Sequence, residues 1–514
     1  MDGHRYSDGE WVLRRYAEAK VLRNGYEEEW RRSARFCLPG HVALWQSFGN
    51  PQGTTAATGS YPTVEGTFDS TGKLALPKFT AICHRLATPK SQVWHKLTAS
   101  DPYLMKQRGV ALYFDDLNGL LWKRRYDPKA RFSSAQTESY QGLGAYGNGV
   151  KFISQRRKTP LSPRSGLHYR GVPLQDIYVL VDEEGNVDTV FRSIWLTARQ
   201  AEQKFGKDRL PPRIISELAK QVQNENDKFE FVHAVMPRGD WDGERMDARR
   251  YPLASVYVSV EGKTLVAEPS GFNSWPYIIA RHFTNPGAIY GLGPASVARE
   301  ALGSANVIKK TLLKQGQKAV DPVLLAYDDG VVNGTVDLRA GAVNYGGVNA
   351  QGQRLIQALE PGSFQWGENL LADERSHIED AFLTKLFQIL VDTPEMTATE
   401  VMERVAEKAS LLAPTMERLQ SEDLGPTIER EVDLLAQMDL LPEMPPELIE
   451  AKGEYEVIYT SPLARSQNAE QVSGFARIVE MATTAAQVTQ DSRPLRRINF
   501  DAAIPEIAET LSVP

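Results

Sequence analysis

Gly142-Leu143-Gly144-Ala145-Tyr146-Gly147 has the GxGxxG spacing that lets backbone amides close on a pyrophosphate at the start of a helix. That chemistry needs a strand before the glycines and a helix after them. Here a helical pattern precedes them and a strand-like 150–153 follows, so the segment reads as a glycine-rich helix-to-strand corner. Gly262-Lys263-Thr264 looks like the end of a phosphate-binding loop. Tyr257, however, stands where the leading glycine belongs, and the surroundings are a hairpin. Gly72-Lys73 fails the same test, with Thr67 in the leading position and Leu74 after the lysine. An ATP-driven motor is disfavoured.

None of the eight histidines forms an i, i+4 pair around a glutamate, so the helical zinc-protease pattern is absent. His282 and His377 read as surface or packed residues. Asp115-Asp116, Asp182-Glu183-Glu184 and Asp328-Asp329 are the acidic runs from which a divalent-metal nuclease could be built. The first acid run of the hairpin and the last run sit at turns, where solvated carboxylates are ordinary. There is no GxSxG. Two cysteines, Cys37 and Cys83, are too few for a disulfide scaffold or a thiolate zinc site. The expectation is a protein without catalytic residues, metal or cofactor.

A chain of 514 residues suggests about three structural regions. A net charge of -6 argues against a coat for nucleic acid, which would be strongly basic, and suits passage of DNA better than grip. No apolar run approaches the ~20 residues that span a bilayer, and no apolar h-region marks a secretory signal. A cytosolic, reducing compartment is expected.

The elements that must position any site follow from periodicity. Residues 8–36 read as a solvated helix with an aromatic face (Trp11, Tyr16, Val21, Tyr26, Trp30), and 47–67 as a long loop. Helices are expected after Asp69-Ser70-Thr71-Gly72, stopping at Thr88-Pro89, and at 103–125 and 131–141. From Val150 the period changes to two, with a hairpin around 182–185 and a helix capped by Thr197. Another helix is expected at 211–223, and strands at 229–236, 254–260 and 264–267. The first ~290 residues are thus an α+β body. Pro294 opens a long helix with Ala298, Leu302, Ala305, Ile308 and Leu312 on one face. A strand-containing insert then leads to a second helix with Leu371, Ile378, Phe382, Leu386 and Ile389 aligned. Asp392, Thr393, Pro394, Glu395 and Met396 break the pattern. Thr397 and Glu400 start a third helix, which Pro414 should kink; Gly425-Pro426 reads as a further bend. A short strand at 454–460 and helical sequence over 463–512 close the chain.

Lys309, Lys310, Lys314 and Lys318 lie along the first long helix, and Glu368, Asp373, Glu374, Glu379 and Asp380 along the second. The lysines are candidate contacts with DNA or with a neighbouring subunit.

Asp69-Ser70-Thr71-Gly72, the helix ending at Thr88-Pro89, and Tyr290-Gly291-Leu292-Gly293-Pro294 recur together, in order, with three further pieces. These are Met396-Thr397-Ala398-Thr399-Glu400-Val401, Leu411-Leu412-Ala413-Pro414, and Tyr455-Glu456-Val457-Ile458-Tyr459-Thr460-Ser461-Pro462. Taken as an ordered set over roughly 10–480, they resemble the head-to-tail connector (portal) proteins of short-tailed, podovirus-type bacteriophages. The resemblance implies a helix-rich α+β fold assembling as a ring, usually a dodecamer, at one capsid vertex of the virion, after assembly in the host cytoplasm. It implies a wing at 1–292, stem helices at 293–319 and 364–390, and a clip at 320–363. A tunnel loop and kinked helix would occupy 391–438, a strand returning to the wing 439–462, and a crown 463–514. Residues 392–396 would face double-stranded DNA in the channel. Implied partners are the terminase large subunit, tail adaptor and tail proteins, and the major capsid and scaffolding proteins. The competing readings are a DNA-packaging nuclease or ATPase component, and a capsid structural protein without a channel.

Overall fold

The structure is a computed structural model and describes residue 6, residues 8–39, 66–156, 165–220, 227–326, most of 336–359, 365–384, 414–451, 453–460 and a few positions within 479–484. The expectations for 47–65, 392–396, the helix before Pro414 and nearly all of 463–512 fall outside these residues.

Helix α1 (Gly9–Cys37) begins where the Asp8 carboxylate accepts the Glu10 amide at 2.9 Å. It is a core helix rather than a solvated one. Val12, Tyr16, Ala19, Arg23 and Trp30 are all buried. Arg23 Nη1 donates to the carbonyls of Leu174, Gln175 and Ile177 at 2.6–3.2 Å, and the Glu27 carboxylate lies 3.1 Å from its Nε, so the enclosed cation has a counter-ion. Of the expected aromatic face, Tyr16 and Trp30 are buried and Trp11 and Tyr26 half-buried, while Val21 is 70% exposed.

Helix α2 (Thr71–Ala87) is followed by β1 (His95–Ala99), α3 (Arg108–Arg125) and α4 (Phe132–Tyr146). The glycine motif lies at the end of α4. A Cβ at Gly144 would fall 2.5 Å from Leu76 Cδ1 and 2.8 Å from Phe79 Cδ1, so the glycine lets α4 and α2 close on one another. Gly147 caps the helix at φ +76, a left-handed conformation that other residues adopt at a cost. The GxGxxG spacing therefore serves packing and helix termination.

Strands β2 (Asn148–Gln155), β3 (Leu167–Gly171), β4 (Ile177–Val181) and β5 (Val187–Thr197) follow. Thr197 and Gln200 form a reciprocal capping box at the start of α5 (Ala198–Phe205), and a shorter helix runs Pro212–Leu218. The body is completed by β6 (Lys228–Pro237), β7 (Leu253–Ser259), β8 (Ser270–Phe272) and β9 (Tyr277–Arg281). The strand expected at 264–267 reduces to a single bridge between Val258 and Leu265, and β8 pairs with β7 in its place.

Two antiparallel sheets result, ordered β3-β2-β9 and β4-β5-β6-β7-β8. Register sets Arg192, His233 and Tyr257 side by side on one, and Arg170, Phe152 and Tyr277 on the other. The sheets meet where His233 Nδ1 lies 2.7 Å from the Tyr277 hydroxyl, with the His233 ring stacked 4.1 Å from Tyr257. Burial holds His233 well below the usual histidine pKa.

Pro294 occupies the first turn of a short helix (Pro294–Val297), and Ala298 separates it from α6 (Arg299–Val320). Strands β10 (Leu324–Ala326) and β11 (Ile356–Ala358) pair in the insert. Helix α7 runs Gln365–Ala381 and is interrupted at Leu383, with φ +58; the expected positions Leu386 and Ile389 lie outside the described residues. From Pro414 the chain is helical again. The bend expected at Gly425-Pro426 is instead a π-turn (Gln420–Leu424) running into α8 (Gly425–Gln437). The wider turn accommodates Pro426, which has no N–H to bond back, without ending the helix. Last, β12 (Tyr455–Tyr459) returns to pair antiparallel with β1.

Candidate functional site

Two regions carry the residues singled out by the sequence. The first is the helix pair α6 and α7. Ala298, Leu302 and Ala305 are buried against Leu371 and Ile378, with Ile308 and Leu312 packed at the margin, as their spacing predicted. The pair is fastened to the chain at 66–69. Asn306 Oδ1 accepts the Phe68 amide at 2.6 Å, Asn306 Nδ2 donates to the Gly66 carbonyl at 3.0 Å, and Arg375 reaches the Asp69 carboxylate at 2.6 Å. Burial alone would raise the Asp69 pKa; its bonds from Thr71 and Arg375 hold it below the usual value.

Lys310, Lys314 and Lys318 are exposed on α6, and Lys309 is half-buried at the edge of a groove of about 420 Å³ lined also by Leu312, Leu313, Glu368 and Leu371. Lys310 Nζ lies 5.6 Å from the Phe68 ring centre. Among the described residues no ion pair joins these lysines to the acidic side chains of α7. Large apolar groups on the same helix pair also stand in water: Trp366 is 86% exposed and Val320 88%. Such groups mark a surface awaiting a partner.

The second region is the helix from Pro414 to Gln437. Pro414 itself is exposed, and the turn it was expected to kink lies outside the described residues. Four of the acids that follow are engaged by the body. Glu422 holds Arg281 in a two-pronged pair at 2.8–3.2 Å. Asp423 meets Lys151 Nζ at 2.7 Å and the Gln136 amide at 2.6 Å. Glu431 accepts from the Arg125 guanidinium at 2.5 Å and from the Tyr169 hydroxyl at 2.5 Å, with Arg125 and Glu431 wholly buried. Asp433 accepts from Ser274 and Asn273. Burial drives the Lys151 pKa down while Asp423 opposes it; burial also lowers Arg430, to about 10. Buried pairs of this kind set position more than they add stability. The π-turn contributes by seating the consecutive acids Glu422 and Asp423 on separate partners.

Sequence reasoning missed Arg125, Lys151, Arg281 and their acids. The only local signal was the acid pair at 422–423; the partners lie over a hundred positions away. The acidic runs tested for metal chemistry are dispersed. Asp182 caps its own turn, accepting from the Glu184 and Asn186 amides, and Asp115 and Asp116 are exposed on α3. Asp328-Asp329 lies outside the described residues, among which no cluster of three or more metal-ligating side chains occurs. His282 proves to be packed rather than exposed, and burial lowers its pKa to about 4.

The chain is 25% identical over 527 aligned residues to the portal protein of Salmonella phage epsilon15, covering 99% of this chain and 88% of that protein. It is 26% identical to a probable portal protein of Bordetella phage BPP-1, covering 91% and 81%. Among solved structures, a chain from the neck of an empty GTA particle is 12% identical and covers 83% of this chain and 93% of that one. Its TM-score of 0.38 is too low to carry an argument about fold. The profile described as "Bacteriophage head to tail connecting protein" matches residues 10–514. The chain belongs to that family, the head-to-tail connecting proteins of bacteriophages.

Proposed function

We propose that this connector works as a portal: one sector of a ring at a capsid vertex through which double-stranded DNA enters and leaves. The match of the connector family from residue 10 to the end of the chain carries this reading. The helix pair supports it from physics. Charged and apolar groups exposed on α6 and α7 fit a closed ring, in which each copy covers a different face of the next. The ring is a dodecamer, with wing, stem, clip and crown divided as the sequence suggests. Residues 392–396 face the duplex at the narrowest point, and the insert at 320–363 receives the terminase large subunit during packaging and the tail adaptor afterwards. The work is non-covalent throughout.

Negative-stain microscopy of the purified chain tests the reading. Annular particles with a central hole are expected; shells, filaments or a monomer that cleaves DNA or hydrolyses nucleotide overturn it. Deleting 392–396 should leave rings intact while impairing packaging or retention of DNA.

A further inference from the structure

The net charge of -6 conceals a cationic surface on the body, away from the stem helices. Two segments build it. The link from α3 to α4 contributes Lys129 and Arg131, and the β2–β3 hairpin contributes Arg156, His168 and Arg170. They are brought together by backbone bonding: the Tyr169 amide donates to the Ala130 carbonyl at 2.9 Å. Along β3 the side chains alternate. Leu167 and Tyr169 point into the core, which turns His168 and Arg170 outward on one face. Their separation, about 7 Å along a strand, is close to the spacing of successive phosphates on one nucleic-acid strand. Lys129, Arg131 and Arg170 are exposed.

Among the described residues the carboxylates near the group are the half-buried Asp127, 3.3 Å from Arg156, the buried Asp176, facing Arg170, and the exposed Glu138, which packs against Gly171. The cations crowd one another. Partial burial and then the charges of Arg131, Arg170 and Arg156 push the His168 pKa down, and burial with Arg192 does the same to Arg170. A surface of like charges held this close is relieved by a polyanion.

We infer that Lys129, Arg131, Arg156, His168 and Arg170 form a sequence-independent seat for the phosphate backbone of double-stranded DNA. The alternative occupant, an acidic protein segment, is disfavoured because the apolar side chains within the patch point inward. Protein interfaces draw their energy from buried apolar anchors, whereas phosphate binding needs only the charges. Arginine predominates, and its planar fork suits phosphate oxygens. The choice of DNA as the polyanion rests on the portal reading above; the patch itself does not.

The test measures binding of a random-sequence duplex to the full-length protein across a salt series. Arg131→Gly with Arg170→Glu should weaken binding by about tenfold or more and lower the log–log salt slope by about 1 to 2. Asp127→Asn keeps the hydrogen-bond acceptor for the Lys129 amide and removes the negative charge, so it should tighten binding, a gain that misfolding cannot imitate. Wild-type binding should strengthen as pH falls and His168 gains its proton. Both variants binding DNA like wild type overturns the inference, as does equal displacement by polyglutamate without dependence on these cations. Ring formation, scored in parallel by microscopy, reports on the portal reading separately: its loss in wild type sinks that reading, not this one.

Discussion

The helix at 414–437 and the pair α6–α7 are both rich in charge, yet they treat charge in opposite ways. On the former, Glu422, Asp423, Glu431 and Asp433 each find a partner within the same chain, two of them out of reach of water. On the latter, Lys310, Lys314 and Lys318 of α6 face solvent, as do Trp366 and Leu370 of α7. A charge satisfied internally fixes one element against another. A charge left facing water on a helix pair that also exposes large apolar groups marks a surface for another molecule. The first region should therefore fail as a fold, and the second as an assembly.

The largest effect is expected from Glu431→Ala. It strands the buried Arg125 guanidinium, and breaking a buried pair costs about 3–5 kcal/mol. Thermal or denaturant unfolding should show this, and a change under 1 kcal/mol would mean the pair is not enclosed. Acid should come next. His233 and His282 are held neutral by burial, with folded pKa values below the ordinary ~6.5. The unfolded chain binds protons first, so stability should fall as pH drops below about 6.5, toward the folded value of about 4 for His282. Each group contributes at most ~1.4 kcal/mol per pH unit. Asp176, raised to about 6 by burial, works in the opposite direction below that pH. A flat melting temperature from pH 7 to 5 would contradict the assignment of buried neutral histidines. Lys310→Glu with Lys314→Glu should leave the unfolding free energy within ~0.5 kcal/mol, as surface changes usually do, while reducing ring yield or DNA retention. Unchanged rings and unchanged retention would remove the lysine row from the assembly surface. Trp366→Ala should have the smallest effect on the fold, again within ~0.5 kcal/mol, and native mass spectrometry should register fewer complete rings.

Much of this contrast could be read in advance where the signal is local. The stripe on α6, the N-cap at Thr197 and the hairpin closing at Asp182 all depend on residues within a few positions of one another. The pairing of β12 with β1 and the salt links of α8 depend on groups hundreds of residues apart, which no periodicity reports. The π-turn was hidden because Gly-Pro ordinarily signals a break. The cationic patch was hidden by addition: a negative total says nothing about where the positive charges lie. The burial of Arg23 was hidden for a related reason, since a cation on a helix normally faces water.

His95 pairs with Tyr459, and Trp94 with Thr460. Nine-tenths of the polypeptide must therefore leave the ribosome before the first hundred residues acquire their last strand. Loops of that length close slowly, so completion of the body should be a late step in folding. On the proposed ring reading, a nascent or truncated copy would lack the finished body against which a neighbour would dock. If the ring forms as proposed, the chain's own connectivity would act as a timer that discourages half-made subunits from joining it.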